Sequence, residues 1–236
     1  MSSRQAGRSV SPLARRLGFW SAIVSVATFV LYTICFAAIL LSSPLFTWTN
    51  LEDYLAYVEA YGGPFQPLAQ FSMLLFSVSF VVLLNTIHEI TQDERRIFTR
   101  LSLAFGMLFA AAVGIHYFTQ LSAVRLNLQA GRTEGLEHFV QANPHAVMSA
   151  VNMLGWSIFL GLASLSLVPV FSSPGTERII RFAFLLNGLF CLTGGVGYAW
   201  EIEWLVFLTT TMGMGGAILV ATTALAYWFR RSRRQT

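Results

Sequence analysis

The stretch LGFWSAIVSVATFVLYTICFAAILL, residues 17–41, carries no charged side chain. A helix needs about 20 apolar residues to cross the ~30 Å hydrocarbon core of a bilayer, and this run supplies them. It exceeds the roughly 7–15-residue apolar core of a signal peptide, and no A-x-A-like site closes it. It is therefore expected to be an uncleaved spanning helix, preceded by Arg4, Arg8, Arg15 and Arg16.

Five further runs read the same way, at about 68–90, 101–124, 144–171, 179–200 and 204–229. Composition agrees: 55% of the 236 residues are hydrophobic and 11% charged, against about 25% charged in soluble domains. Mean hydropathy is +0.62. Soluble enzymes and disordered chains are excluded, because too little polar surface exists to coat a globule. The expected fold is all-α, one bundle of six transmembrane helices over 17–229, between a basic segment at 1–16 and a basic tail at 230–236. Cys35 and Cys191 lie in apolar segments without CxxC spacing, so neither a disulfide framework nor a zinc site is indicated.

Orientation follows from the 15 basic residues, all of them arginine. With the N-terminus inside, Arg4, Arg8, Arg15, Arg16, Arg95, Arg96, Arg100, Arg178, Arg181, Arg230, Arg231, Arg233 and Arg234 fall on the cytoplasmic side. Only Arg125 and Arg132 fall outside. Most acids go the other way: Glu52, Asp53, Glu59, Glu134, Glu137, Glu201 and Glu203. Six spans place both termini in the cytoplasm. Nucleic acid is not an expected partner. The basic residues flank apolar helices and suit membrane lipids, where each arginine of the tail contributes about 1 kcal/mol at an anionic surface.

The short cytoplasmic loops, 91–100 and 172–178, make spans two and three, and four and five, antiparallel neighbours. In the first long loop Thr49 and Glu52 have capping-box spacing and Gly62-Gly63-Pro64 supplies a stop. Between them Leu51, Tyr54, Leu55, Val58 and Tyr61 recur at helical spacing, which predicts an amphipathic helix anchored at the interface. In the second, Thr133 caps a turn with Leu136, Phe139 and Val140 as an apolar stripe. Pro144 is expected at the first position of helix four.

Small residues four apart, Gly106-Ala110-Gly114, Ser157-Gly161 and Gly213-Ala217-Ala221, predict close helix packing. Gly194-Gly195-x-Gly197 predicts a kink in helix five and lacks the context of a nucleotide loop.

Uncharged polar stripes in the outer half are the functional pointer, since polar groups in a bilayer are costly. His116 and Gln120 share a face of helix three. His145, Ser149, Asn152 and Trp156 run along helix four, and Asn187, Cys191, Gly194, Tyr198 and Glu201 along helix five. If the stripes converge they outline an outward pocket. Asn152 and Asn187 form its floor, His116, Gln120, Trp156 and Tyr198 its walls, and Arg125, His145 and Glu201 its rim. The alternative for each residue is a hydrogen bond between helices.

At the inner end of helix two, Asn85, His88, Glu89 and Gln92 share a face. Gln92 stands where a zinc protease needs its second histidine, so pairing with Arg95, Arg96 or Arg100 is the reading there. No metal site, haem ligation or other cofactor is predicted, and no catalytic triad or carboxylate pair is readable.

The segments QLSAVR (120–125), GRTEGLEHFVQANPH (131–145) and NMLGW (152–156) resemble a group of prokaryotic six-span membrane proteins with no assigned activity. The resemblance covers less than a third of the chain. It implies the six-span architecture and a prokaryotic plasma membrane, and carries over no catalytic residue. Six spans without an internal repeat are few for alternating access, so transport would need a homo-oligomer. The functional expectation is binding or transport of a small amphiphilic or apolar molecule. The alternatives are a membrane enzyme using His116 or His145, and a structural or assembly subunit without a ligand.

Overall fold

The computed structural model describes residues 11–232; Arg4, Arg8, Arg233 and Arg234 lie outside them. Six helices are long and apolar enough to cross a membrane: α1 (Pro12–Ser42), α3 (Phe65–Ile90), α4 (Asp93–Gln129), α5 (Val147–Leu167), α6 (Thr176–Ala199) and α7 (Glu203–Arg231). A short surface helix, α2 (Leu51–Tyr61), precedes α3. No strand occurs among the described residues. The chain has the all-α fold of a multi-pass membrane protein.

Helices prevail because lipid offers no partner to a free backbone group. Hydroxyls within the spans obey the same rule by bonding back one turn. Thr28 donates to Val24 O (2.8 Å), Ser72 to Ala69 O (2.7 Å), and Thr222 to Ile218 O (2.8 Å). Pro12 opens α1, where a missing N–H costs nothing. At the other end, Ser43 returns its hydroxyl to Ile39 O (2.8 Å) just before Pro44.

Each span packs on its sequence neighbours, and α7 closes the ring against α1. Phe76, Phe80, Phe109, Trp156 and Phe184 fill the centre. Outside, Ile34, Val78, Ile115 and Phe118 are exposed as lipid-facing residues must be. Exposed Trp20 and Tyr227 mark one end and Trp200 and Trp204 the other, as in the aromatic belts of membrane interfaces. The ends are called here the arginine end and the loop end.

Several boundaries differ from the sequence expectation. Most of 91–100 is helical, because α4 starts at Asp93. Hydropathy locates the part of a helix that fits hydrocarbon, whereas arginines continue a helix into the headgroups without penalty. The cap of α2 is Asn50, one residue after Thr49. Its Oδ1 accepts from Asp53 N (2.9 Å) and its Nδ2 donates to Asp53 Oδ2 (2.9 Å). Pro144 does not open α5; Asn143 Oδ1 accepts from His145 N (3.0 Å), and this turn delays the helix to Val147. At the arginine end His88 Nδ1 meets Thr99 Oγ1 (2.8 Å), and Arg95 reaches Val170 O (2.9 Å) and Ser172 Oγ (2.7 Å). Arg95 thus clamps the α5–α6 loop and Arg96 lies 3.4 Å from Asp93, in place of the expected pairing with His88 or Glu89.

The small-residue rows pack within the chain. A Cβ at Gly106 would lie 2.2 Å from Leu84 Cδ1, and one at Gly195 2.7 Å from Ser157 Cβ. The α6 glycines leave that helix unbroken and admit α5 on one side and α7 on the other. A Cβ at Gly188 would stand 2.5 Å from Leu165 Cγ and 3.0 Å from the Gly161 carbonyl oxygen. Gly188→Val is therefore expected to destabilise the bundle by about 1–3 kcal/mol. Gly63→Ala, which meets nothing within 4 Å, should leave the midpoint of unfolding in mixed micelles unchanged. Equal midpoints would show that α5 and α6 do not touch there.

Candidate functional site

The two long loops build a cap over the loop end. Tyr54, Val124, Leu136 and Val140 form its buried core, with Phe46, Trp48, Leu51, Val58, Leu128 and Ala142 packed around them. Tyr57 pins α2 to the end of α1, its hydroxyl reaching Ser43 Oγ (3.0 Å) and Pro44 O (3.0 Å). The apolar face of α2 thus meets protein; the expected interfacial anchor is part of a cap, with Tyr61 left exposed.

Beneath the cap lies a polar seam. Gln120 Nε2 donates to Phe139 O (2.6 Å) while its Oε1 accepts from Gln141 N (3.1 Å). Gln70 Nε2 donates to Gln141 Oε1 (2.9 Å), and the His116 ring meets Met148 O through Nδ1 (2.9 Å). The sequence marks His116 and Gln120 by their spacing. It does not join to them Gln70, which shares a helix face with Gln66, or Gln141, which lies in a loop without period. Gln120→Leu removes both backbone contacts and leaves each group unpaired, at about 1–3 kcal/mol apiece. Amide exchange across 139–141 should then rise at least tenfold. Unchanged protection would mean that the apolar core alone holds the cap.

The remaining expected residues divide among three places. At the rim, Tyr198 donates to Pro144 O and His145 Nδ1 lies 3.8 Å from Glu201 Oε1, an exposed pair of little energetic weight. Glu201 itself holds φ +55, uncommon for a residue with a Cβ. Arg125 is exposed and folds back on Leu121 O (2.9 Å). Deep in the bundle Asn187 accepts from Ser164 Oγ (2.7 Å) and donates to Met214 O (3.0 Å), tying α6 to α5 and α7.

Only Asn152 and Trp156 of the nine border a cavity in the loop-end half of the bundle. Its volume is about 350 Å³, at the lower end of the ~300–1,000 Å³ typical of ligand pockets. Five aromatic side chains line it, Phe29, Tyr32, Phe36, Tyr117 and Trp156, together with Met73, Met153 and Met214. One floor, walls and rim built from all nine residues do not form. His116 of α4 turns to the Met148 carbonyl of α5 and Gln120 to the second loop, and the open space lies on the α1–α7 side.

Two of its walls are π-helical. The wide turns Leu154–Phe159 in α5 and Phe207–Met214 in α7 carry Trp156, Thr210, Thr211 and Met214 to the cavity. A third π-turn, Gln120–Val124 in α4, lies under the cap. Such segments are rare and concentrate at functional sites, because they re-aim side chains that α-geometry would turn elsewhere. Nothing in hydrophobic periodicity announces them. Asn152 Oδ1 is fully shielded and has no hydrogen-bond partner. The Tyr117 side chain stands beside Asn152 and Trp156.

Among the described residues no three histidine, cysteine or acidic side chains gather into a metal-binding group. Comparison with known protein families, curated proteins and solved structures finds no match.

Proposed function

We propose that this membrane protein binds a small amphiphilic molecule in the cavity between α1, α5 and α7. The observation that carries the reading is the Asn152 carboxamide. Its oxygen is shielded and unpaired, in a side chain that borders the cavity beside aromatic rings, methionines and the threonines Thr33, Thr210 and Thr211. A buried unpaired carbonyl oxygen costs about 1–3 kcal/mol, and such a group beside a cavity supplies the oriented polar contact of a ligand site. The interhelical bonds of Asn187 and His116, and those of Gln120 to the second loop, support the role of structural ties for those three. Mass spectrometry of the full chain released from nanodiscs made with native lipid is expected to show a co-purified small molecule that Asn152→Leu fails to retain. A wild-type chain and variant carrying identical lipid only would count against a ligand site.

The arginine distribution supports a cap facing outward and both termini in the cytoplasm, and the sequence resemblance supports a prokaryotic plasma membrane. Glu52 is exposed on α2, whereas Cys35 and Cys191 are buried. Glu52→Cys is expected to react with a membrane-impermeant maleimide on intact cells. Reaction only after lysis would reverse the orientation. The cap also bears on transport, since release at the loop end would require it to lift. Binding is the part of the role that the cavity supports.

A further inference from the structure

The helices around the cavity are not evenly closed. At the arginine end α1 and α7 are in tight contact, where a Cβ on Gly18 would fall 2.4 Å from the Phe229 ring. Contact continues to Gly215, where a Cβ would lie 3.4 Å from Phe29 Cζ. One residue nearer the arginine end but turned to another face, Gly216 lines the cavity and a Cβ there would meet nothing within 4 Å. Thr33 of α1 and Thr211 and Gly216 of α7 are lining residues that are also exposed. Thr210 to Gly216 lie roughly 10–20 Å along α7 from its loop-end start at ~1.5 Å per residue. That depth is within the acyl chains of one leaflet, so the opening faces lipid.

The lining narrows what can enter. The volume suits a ring with a short tail and excludes a two-chain phospholipid. Aromatic rings and thioethers favour a flat ring by stacking and sulfur contacts, where a saturated chain would gain only dispersion. Asn152 sets the polar requirement. A carboxamide presents N–H donors at one end and an acceptor at the other, and half a turn about its last bond exchanges them with little change in shape. A hydroxyl both donates and accepts, so it satisfies either end. An ether or carbonyl satisfies only the N–H.

We propose that the cavity is loaded sideways from the leaflet through the gap between α1 and α7, and that its ligand is a flat, hydroxyl-bearing apolar molecule of the alkylphenol class. This deepens the binding role proposed above and rests on it.

The test uses the full chain in nanodiscs, with para-hexylphenol and its methyl ether, para-hexylanisole, as matched probes. Saturable binding is read by native mass spectrometry. The phenol is expected to bind about tenfold more tightly than the ether, the cost of one unpaired buried polar group. Asn152→Leu should bring the two affinities together. Gly216→Phe, and independently Thr33→Phe, should abolish saturable binding of both probes while helicity and melting stay as in the wild type. Equal affinities in the wild-type chain overturn the hydroxyl class and leave the cavity reading standing. Binding that survives both plugs puts the probes elsewhere and overturns sideways loading together with the cavity reading. No saturable binding of either probe overturns both, and the cavity then holds lipid tails alone.

Discussion

Trp156→Ala is expected to lower bundle stability by about 2–3 kcal/mol and to merge the space it vacates with the cavity. The indole is nearly buried, stacked on Phe76 (centroids 5.9 Å, planes 15° apart) and edge-on to Phe109 (4.9 Å, 75°). A soluble core would lose about 3–5 kcal/mol on such a truncation. The smaller figure applies because lipid tails solvate an unpacked ring nearly as well as a protein interior does. What remains is the lost dispersion contact of three rings around an unfilled volume. Trp156→Phe, which keeps a ring against Phe76, should recover more than half of the loss. Reversible unfolding in mixed micelles measures both variants, and a loss below about 0.5 kcal/mol for Trp156→Ala would remove Trp156 from the packed centre.

Asn187→Leu is expected to cost about 2 kcal/mol and also to distort the cavity from a distance. Asn187 is fully buried, and its Nδ2 donates to Met214 O, the last carbonyl of the π-turn in α7. A π-turn disturbs the regular carbonyl ladder, so a side-chain donor at that point favours the wide register. Without it, α7 gains from returning to α-geometry. That change rotates Thr210, Thr211 and Met214 relative to the cavity. Ser164 would lose its acceptor, but it can bond back to its own helix as Ser166 does to Leu162 O. Ser164→Ala combined with Asn187→Leu should therefore cost scarcely more than Asn187→Leu alone. Additive losses would show that the two side chains act independently. Unchanged probe binding in Asn187→Leu would show that the π-register does not shape the cavity.

The outline of the candidate site was half visible in the residues. His116 and Gln120 stand on one face by their four-residue spacing, and that face does meet α5 and the second loop. Trp156 and Asn152 lie on the stripe of helix four that reaches the cavity. The rest escaped for two physical reasons. Tyr32, Thr33 and Phe36 belong to a helix apolar all round, whose lining face carries no periodic signal. The π-turns in α5 and α7 break the 100° count itself, so positions past them cannot be assigned to a face by spacing. The cap is hidden from the sequence for a related reason: amphipathicity in α2 shows that one side seeks an apolar neighbour, and does not say whether that neighbour is lipid or Leu136 and Val140.

By itself the sequence determined the number of spanning helices and their approximate placement, beginning with the charge-free run at 17–41. Both depend on local quantities, the hydropathy of about 20 consecutive residues and the need of each backbone group for a partner in lipid. The tertiary structure alone decided the closure of the ring by α7 on α1 and the gap they leave towards the loop end. It also decided the joining of two loops into a cap and the partners of each buried amide. These depend on shapes brought together from distant parts of the chain. Gly18 receives the Phe229 ring and Gln70 meets Gln141, and no window of neighbouring residues contains either pair.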